Sequence, residues 1–252
     1  MQSKKPFLFA PSLTKEELCR FEEDGFLIKR SFIGDDLLRQ ISQEIDALHE
    51  RMAHAVPDGV EVTWEKLEAG KPKRIKQLMN SERVSPGIDR MLRSDPVLDV
   101  VEALLGPDIA LFHSKLLMKA AHDGAITPWH QDYAYWKQGA NRPLQLNCML
   151  AIDAATRENG CIQFVPGSHK QGLVTHERRD EAFGLCLPGY FNARPDAAAV
   201  EMEPGDCVFF GPLVIHGSDG NRSPRNRRAN TIVYTVPANG IEQSQEILRK
   251  TA

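Results

Sequence analysis

The chain of 252 residues has no CxxC pair, no long apolar run, no low-complexity tract and little net charge, and each absence removes a class of protein. Its cysteines, Cys19, Cys148, Cys161, Cys186 and Cys207, are odd in number and widely spaced. That pattern argues against a disulfide framework or a zinc knuckle and favours a reducing cytoplasm. No stretch of about 18 apolar residues occurs, so no membrane-spanning helix is expected. The start, Met1 to Pro11, carries Lys4 and Lys5, but its apolar stretch is short and broken by proline, unlike a signal peptide. Residues 1–12 read as a loose tail. A formal net charge of −3 gives no general pull toward nucleic acid or an acidic membrane.

What is present divides into two textures with no linker between them, so one domain over residues 1–252 is expected. Over residues 13–105 apolar residues recur at helical spacing, as in Leu37-Leu38-Ile41-Ile45-Leu48 and Val97-Val100-Val101-Leu104-Leu105, which predicts a mainly helical support. Thr14 followed by Glu17 is a capping-box pattern, and Gly25 a stop before the apolar run Phe26 to Ile28. Over residues 106–240 short β-prone runs alternate with Gly, Pro and Asn: Ala110 to Met118, Trp129 to Tyr135, Leu144 to Ile152, Cys161 to Val165, Cys207 to Phe210 and Arg228 to Val236. That spacing predicts a double-sheet jelly roll.

Within the β-rich part, His130-Gln131-Asp132 is followed by a distal His216. On a strand, residues i and i+2 share a face, so His130 and Asp132 are expected to offer an imidazole and a carboxylate to one ion while Gln131 points away. His216 completes a two-histidine, one-carboxylate face that leaves coordination positions open, the arrangement of non-haem Fe(II) oxygenases. After His216, the turn Ser218 to Asn226 reverses the chain, and a guanidinium on the returning strand suits a carboxylate, which it holds by two parallel hydrogen bonds.

Three segments in order resemble the phytanoyl-CoA dioxygenase family of Fe(II)/2-oxoglutarate-dependent oxygenases: Ala125 to Asp132 with its Trp129-His130-Gln131-Asp132, Glu158 to Lys170 with Pro166-Gly167-Ser168-His169, and Val214 to Pro224 around His216. Leu13 to Ile28 is similar to the family's opening helix and first strand. The resemblance implies a double-stranded β-helix core of the cupin kind, with Fe(II) on His130, Asp132 and His216. It implies 2-oxoglutarate as cosubstrate, held by Arg227 at the family's offset with Ser218 beside it, and O2 as the oxidant. His113 and Lys76 are further candidates to reach the cosubstrate. The implied reaction hydroxylates an unactivated C–H bond of a small molecule and releases succinate and CO2, although desaturation, epoxidation or cyclisation uses the same oxidant. A carboxylate kept at Asp132 favours hydroxylation over halogenation. A cupin-like metal enzyme without 2-oxoglutarate and a non-catalytic binding module stay as alternatives, weighed against by Arg227 with Ser218 and by the intact triad respectively.

Tyr133, Tyr135, Trp136 and Phe183 are expected to line a substrate pocket. Cys148 stands near where some family members carry a tryptophan. Two long segments, Asp58 to Asn80 with Lys71, Lys73, Arg74 and Lys76, and His169 to Val200 with His176, Tyr190 and Phe191, read as lids over the iron.

Overall fold

The computed structural model describes residues 12–65, 74–137, 142–179, 184–189, 194–237, 239 and 246–250. Its helices are α1 (Lys15–Asp24), α2 (Asp35–Asp46), α3 (Leu48–His54), α4 (Pro86–Leu92), α5 (Asp95–Leu105) and α6 (Tyr133–Trp136). Its strands are β1 (Phe26–Lys29), β2 (Glu61–Trp64), β3 (Ile75–Met79), β4 (Ile109–Lys119), β5 (Thr127–His130), β6 (Gln145–Ala151), β7 (Ile162–Phe164), β8 (Glu177–Arg179), β9 (Gly184–Cys186), β10 (Ala198–Ala199), β11 (Cys207–Phe210), β12 (His216–Ser218), β13 (Arg227–Thr235) and β14 (Ile247–Arg249).

Local chemistry sets the first turn of the chain. Thr14 and Glu17 cap α1 reciprocally, the Glu17 N–H donating to Thr14 Oγ1 at 3.2 Å and the Thr14 N–H to Glu17 Oε2 at 2.8 Å. Gly25 then takes φ 86°, so α1 stops and β1 begins at once. β1 pairs with β11 in the major sheet, whose order is β1-β11-β6-β13-β4-β3-β2 with β14 added on β4. The minor sheet runs β10-β7-β12-β5, and β8 with β9 forms a separate ribbon. All the strand pairings described are antiparallel. Two facing antiparallel sheets of this kind form the expected jelly roll.

Alternation along the strands decides what each face touches. Leu146, Cys148 and Leu150 of β6, Cys207 and Phe209 of β11, and Ile232 and Tyr234 of β13 turn outward into a large core with α2 to α5. Met149, Ala151, Val208, Phe210 and Ala229 turn inward and meet Ile162 and Phe164 of the minor sheet. The helices approach closely where Gly87 allows it, since a Cβ there would lie 2.7 Å from Ile41 Cγ1. Glu44 of α2 accepts from Ser85 Oγ and from the Gly87 N–H, joining α2 to the start of α4.

The support expected over residues 13–105 is therefore not only helical. Three of its segments, β1, β2 and β3, are strands of the major sheet. The described part of the Asp58 to Asn80 segment, expected as a lid, contains the paired strands β2 and β3, with Gln77 opposite Leu117 and Met79 opposite Lys115 of β4. Sequence periodicity missed them because the alternation of β2 spans only four residues and β3, Ile75-Lys76-Gln77-Leu78-Met79, does not alternate. Lys71 and Lys73 fall outside the described residues.

Arg228 fastens helix to sheet. Its Nε and Nη2 donate to the two carboxylate oxygens of Asp153 at 2.9 and 2.7 Å, its Nη1 to Asp46 at 2.6 Å, and its Nη2 also to Ser42 Oγ at 2.9 Å. Because hydrogen bonds to charged groups contribute roughly 1.5–3 kcal/mol each and the half-buried Asp153 would lose its partner, Arg228→Ala should cost about 2–4 kcal/mol of folding stability. Denaturant unfolding measures this, and an unchanged midpoint would show that α2 docks through apolar packing alone.

Candidate metal centre

His130 is the last residue of β5, and its cross-strand partner is His216 at the start of β12. The imidazole centroids lie 4.2 Å apart. Asp132 was expected to join them as the i+2 residue of a strand, but the strand ends first. Asp132 has φ −58° and ψ −35° and stands at the entry to the helical turn α6. The chain bends over the end of the barrel, and that bend, not strand alternation, carries the carboxylate to the imidazoles. Asp132 Oδ1 lies 3.6 Å from His130 Nε2, and its Oδ2 3.8 Å from His216 Nε2. One ligand atom from each of the three residues lies within 4.8 Å of the others, and all three residues are buried.

The residues around the triad orient it. His130 Nδ1 faces the Pro128 carbonyl at 2.8 Å and His216 Nδ1 the Val214 carbonyl at 3.0 Å. With Nδ1 as donor, each Nε2 keeps its lone pair for a metal. Asn147 Nδ2 donates to Asp132 Oδ2 at 3.0 Å. Burial acts to raise the Asp132 pKa, but His216, His130 and Lys115 outweigh it and hold the carboxyl far below the usual carboxylate range. Burial, reinforced by His130, pushes His216 down to about 4, so a neutral imidazole faces a carboxylate. This donor set fits Fe(II).

A cavity opens from the triad toward the far ends of β4 and β13, lined by Leu117, Lys119, Met149, Ser218, Arg227 and Thr231 among others. Arg227 and Lys119 are cross-strand partners, 5% and 6% exposed. Arg227 Nη2 donates to the Gly160 carbonyl at 2.9 Å, while its buried Nε has no partner. Gly160 has φ 79°, and a Cβ there would lie 2.3 Å from the Asp219 carbonyl, so that corner admits only glycine. Lys119 Nζ donates to the carbonyls of Ala125 at 2.5 Å and Asp219 at 2.7 Å. Burial lowers Arg227 to about 10, and burial together with Arg227 lowers Lys119 well below the usual lysine range. Two buried cations with an open donor between them suit a carboxylate, which would relieve both. Arg228, one residue on, faces the opposite way to Asp153.

The sequence reasoning did not single out Lys119 or Asn147. The signal for Lys119 was its place at the end of an apolar strand, where a lysine seldom lies buried without a role. Lys76 and Ser218 line the cavity. His113 does not: it packs against Phe112 and Trp136 and lines an outer groove with Asn80 and Arg83. Tyr133, Tyr135 and Trp136 also stand outside the cavity lining. The helical turn directs them elsewhere, Tyr135 setting its ring edge against His130 and donating its hydroxyl to the Leu185 carbonyl at 2.6 Å. Phe183, Tyr190 and Phe191 lie outside the described residues.

The described parts of the His169 to Val200 segment are fastened to the barrel. Gln131 Nε2 donates to the carbonyls of Gly172 and Leu213, its Oε1 accepts from the Val174 N–H, and its own N–H donates to His176 Nε2 at 2.9 Å. The Leu187 N–H donates to the Trp129 carbonyl at 2.9 Å. His176, considered as a substrate contact, is thus a structural acceptor, and these bonds tie the described parts of the segment to the barrel as a cover.

The family model described as phytanoyl-CoA dioxygenase matches residues 21–229. An L-proline trans-4-hydroxylase of Streptomyces griseoviridis is 28% identical over 244 residues, covering 87% of this chain and 85% of its own. A probable phytanoyl-CoA dioxygenase of Caenorhabditis elegans is 30% identical over 240 residues, 88% of this chain and 75% of its own. Among solved structures, EctD from S. alaskensis with bound Fe superposes with a TM-score of 0.77 at 21% identity, covering 96% of this chain and 88% of that one.

Two outcomes are expected. His130→Ala, Asp132→Ala and His216→Ala should each lower the Fe(II) bound per chain, as read by metal analysis after desalting. Wild-type loading in any of them would remove that residue from the centre. His113, which burial and the charge of Lys115 push down to about 3, takes up its proton in the unfolded chain first. Its contribution is complete above about pH 6.5, the ordinary histidine value, and is lost as the pH falls toward 3. His113→Asn should flatten the acid limb of a stability-against-pH curve, and an unaltered limb would place the acid sensitivity elsewhere.

Proposed function

Because the chain belongs to the phytanoyl-CoA dioxygenase family, we propose that this cavity hydroxylates an unactivated C–H bond of a small-molecule metabolite. The enzyme is an Fe(II)/2-oxoglutarate-dependent dioxygenase. The observation that carries the site assignment is the pairing, in one cavity, of a buried His-Asp-His set with a buried arginine whose Nε lacks a partner.

When bound, iron and 2-oxoglutarate supply the oxidising power, with O2 splitting the cosubstrate into succinate and CO2 and leaving one oxygen atom for the substrate. His130 and His216 would hold the metal through Nε2 and Asp132 through its carboxylate. Their outer partners, the Pro128 and Val214 carbonyls and Asn147, fix the directions of those donors. Arg227, Lys119 and Ser218 would hold the far carboxylate of the cosubstrate, with Lys76 at the cavity wall. Leu117, Met149, Ile162 and Phe210 present apolar surface to the remainder and keep water from the reacting carbon. His113, outside the cavity lining, is left without a cosubstrate role. Five free thiols accord with a reducing, cytoplasmic setting.

Anaerobic addition of Fe(II) and 2-oxoglutarate should raise a weak visible charge-transfer band, and air should then yield succinate. Arg227→Ala should weaken 2-oxoglutarate binding by roughly 2–5 kcal/mol, the usual loss when one partner of a buried charge pair is removed. Arg228→Ala should leave that affinity close to wild type. The reverse pattern in a 2-oxoglutarate titration would reassign the carboxylate contact to the other face of β13.

A further inference from the structure

We infer that the substrate is a small anion bearing N–H or O–H groups, and that Lys115 reads its charge; this rests on the dioxygenase reading above. The first argument is charge. Lys76, Lys115, Lys119 and Arg227 line the cavity against Glu65 and Asp132. Bound Fe(II) adds two positive charges and 2-oxoglutarate two negative ones, so the loaded cavity keeps a positive excess. Lys119 and Arg227 are buried and Lys76 and Lys115 half-buried; charge held in a cavity without a counterion is costly, and an anionic substrate removes the excess.

Position assigns the task to Lys115. The cations opposite each other at the far end, Lys119 and Arg227, flank Ser218 and suit the cosubstrate. Lys115 lies four residues back along β4, roughly 13 Å at about 3.3 Å per residue, more than an extended five-carbon diacid spans. It stands opposite Thr231 of β13 and Met79 of β3. Its field reaches Asp132 and His216, which puts it on the metal side of the cavity. Among the described residues its ammonium has no hydrogen bond or ion pair.

The wall beside it is polar and open. Thr231 Oγ1, Asn147 Oδ1 and Gln77 Oε1 line the same cavity and are buried without partners, whereas nearly all buried polar atoms in folded proteins have one. The Thr231 hydroxyl can donate to the anion that Lys115 pairs. The carbonyl oxygens of Asn147 and Gln77 accept, so they ask the ligand for donors. A hydroxy acid, or an acid carrying an amide N–H, as carboxylate or phosphonate, meets all three demands.

The test uses the Fe(II) enzyme with 2-oxoglutarate and a probe panel of 3-hydroxybutanoate, N-acetylglycine and 2-hydroxyethylphosphonate, each beside its fully methylated, uncharged ester. Acids should perturb the anaerobic charge-transfer band and speed succinate formation where esters do not. Lys115→Met should raise the concentration of acid needed about tenfold or more, with Lys115→Arg falling between, while 2-oxoglutarate titrates both variants as it does wild type. Esters as effective as acids would overturn the inference. So would a wild type that makes succinate without substrate yet responds to no acid, or a Lys115→Met that loses 2-oxoglutarate affinity instead. Absence of both band and succinate in wild type would sink the dioxygenase reading itself.

Discussion

The position of the metal centre depends on one cross-strand pairing, His216 opposite His130. Strand alternation has a period of two, so a slip of one residue in β12 would turn His216 out of the cavity and bring Gly217 in. The register is held on both sides. β12 pairs with β7 as well as β5, the Val165 N–H donates to the Ile215 carbonyl, and the Ile215 N–H donates to the buried Ser168 hydroxyl. Phe164 and Phe210 pack their rings around the His216 imidazole at centroid distances of 5.9 and 5.0 Å. The metal site is therefore an outgrowth of the core between the sheets, and core and ligands cannot be varied independently.

The cavity is electrostatically polarised. At the triad end a carboxylate faces two imidazoles, and at the other end a lysine and an arginine lie buried side by side. Neither end favours the empty fold: both cations are depressed by burial, Lys119 also by the charge of Arg227, and Arg227 Nε stays unpartnered. Such unmet demands destabilise the free protein and are met when a metal and a dianion arrive, the usual form of a trade between stability and function.

Much of this was legible from residues with local consequences. Thr14, Glu17 and Gly25 announced the first helix and its stop because capping is written in adjacent side chains. Arg227 was placed beside the cavity by the offset that the family resemblance implies, and strand alternation then sent Arg228 to the other face. What was missed is non-local. The strand expected through Tyr135 ends at His130, since the bend that sends Asp132 into α6 is imposed by the barrel's end and not by propensity. The aromatic residues after it followed the wrong period for the same reason. Lys119 acquires its meaning from Arg227 more than a hundred positions later, and β3 becomes a strand on the edge that β4 offers, with β2 added on β3 in turn.

Gln131 separates two metal-ligating residues and touches neither the cavity nor the ion, yet its amide and backbone N–H hold the cover at Gly172, Val174 and His176. A single peptide segment thus presents ligands inward and a fastener outward. The cover is consequently constrained at its root, which must keep spacing with residue 131 or the ligands on either side lose their angle. A change of specificity in such a scaffold falls to the cavity wall on β3, β4 and β13, because the triplet and its anchor act as one unit.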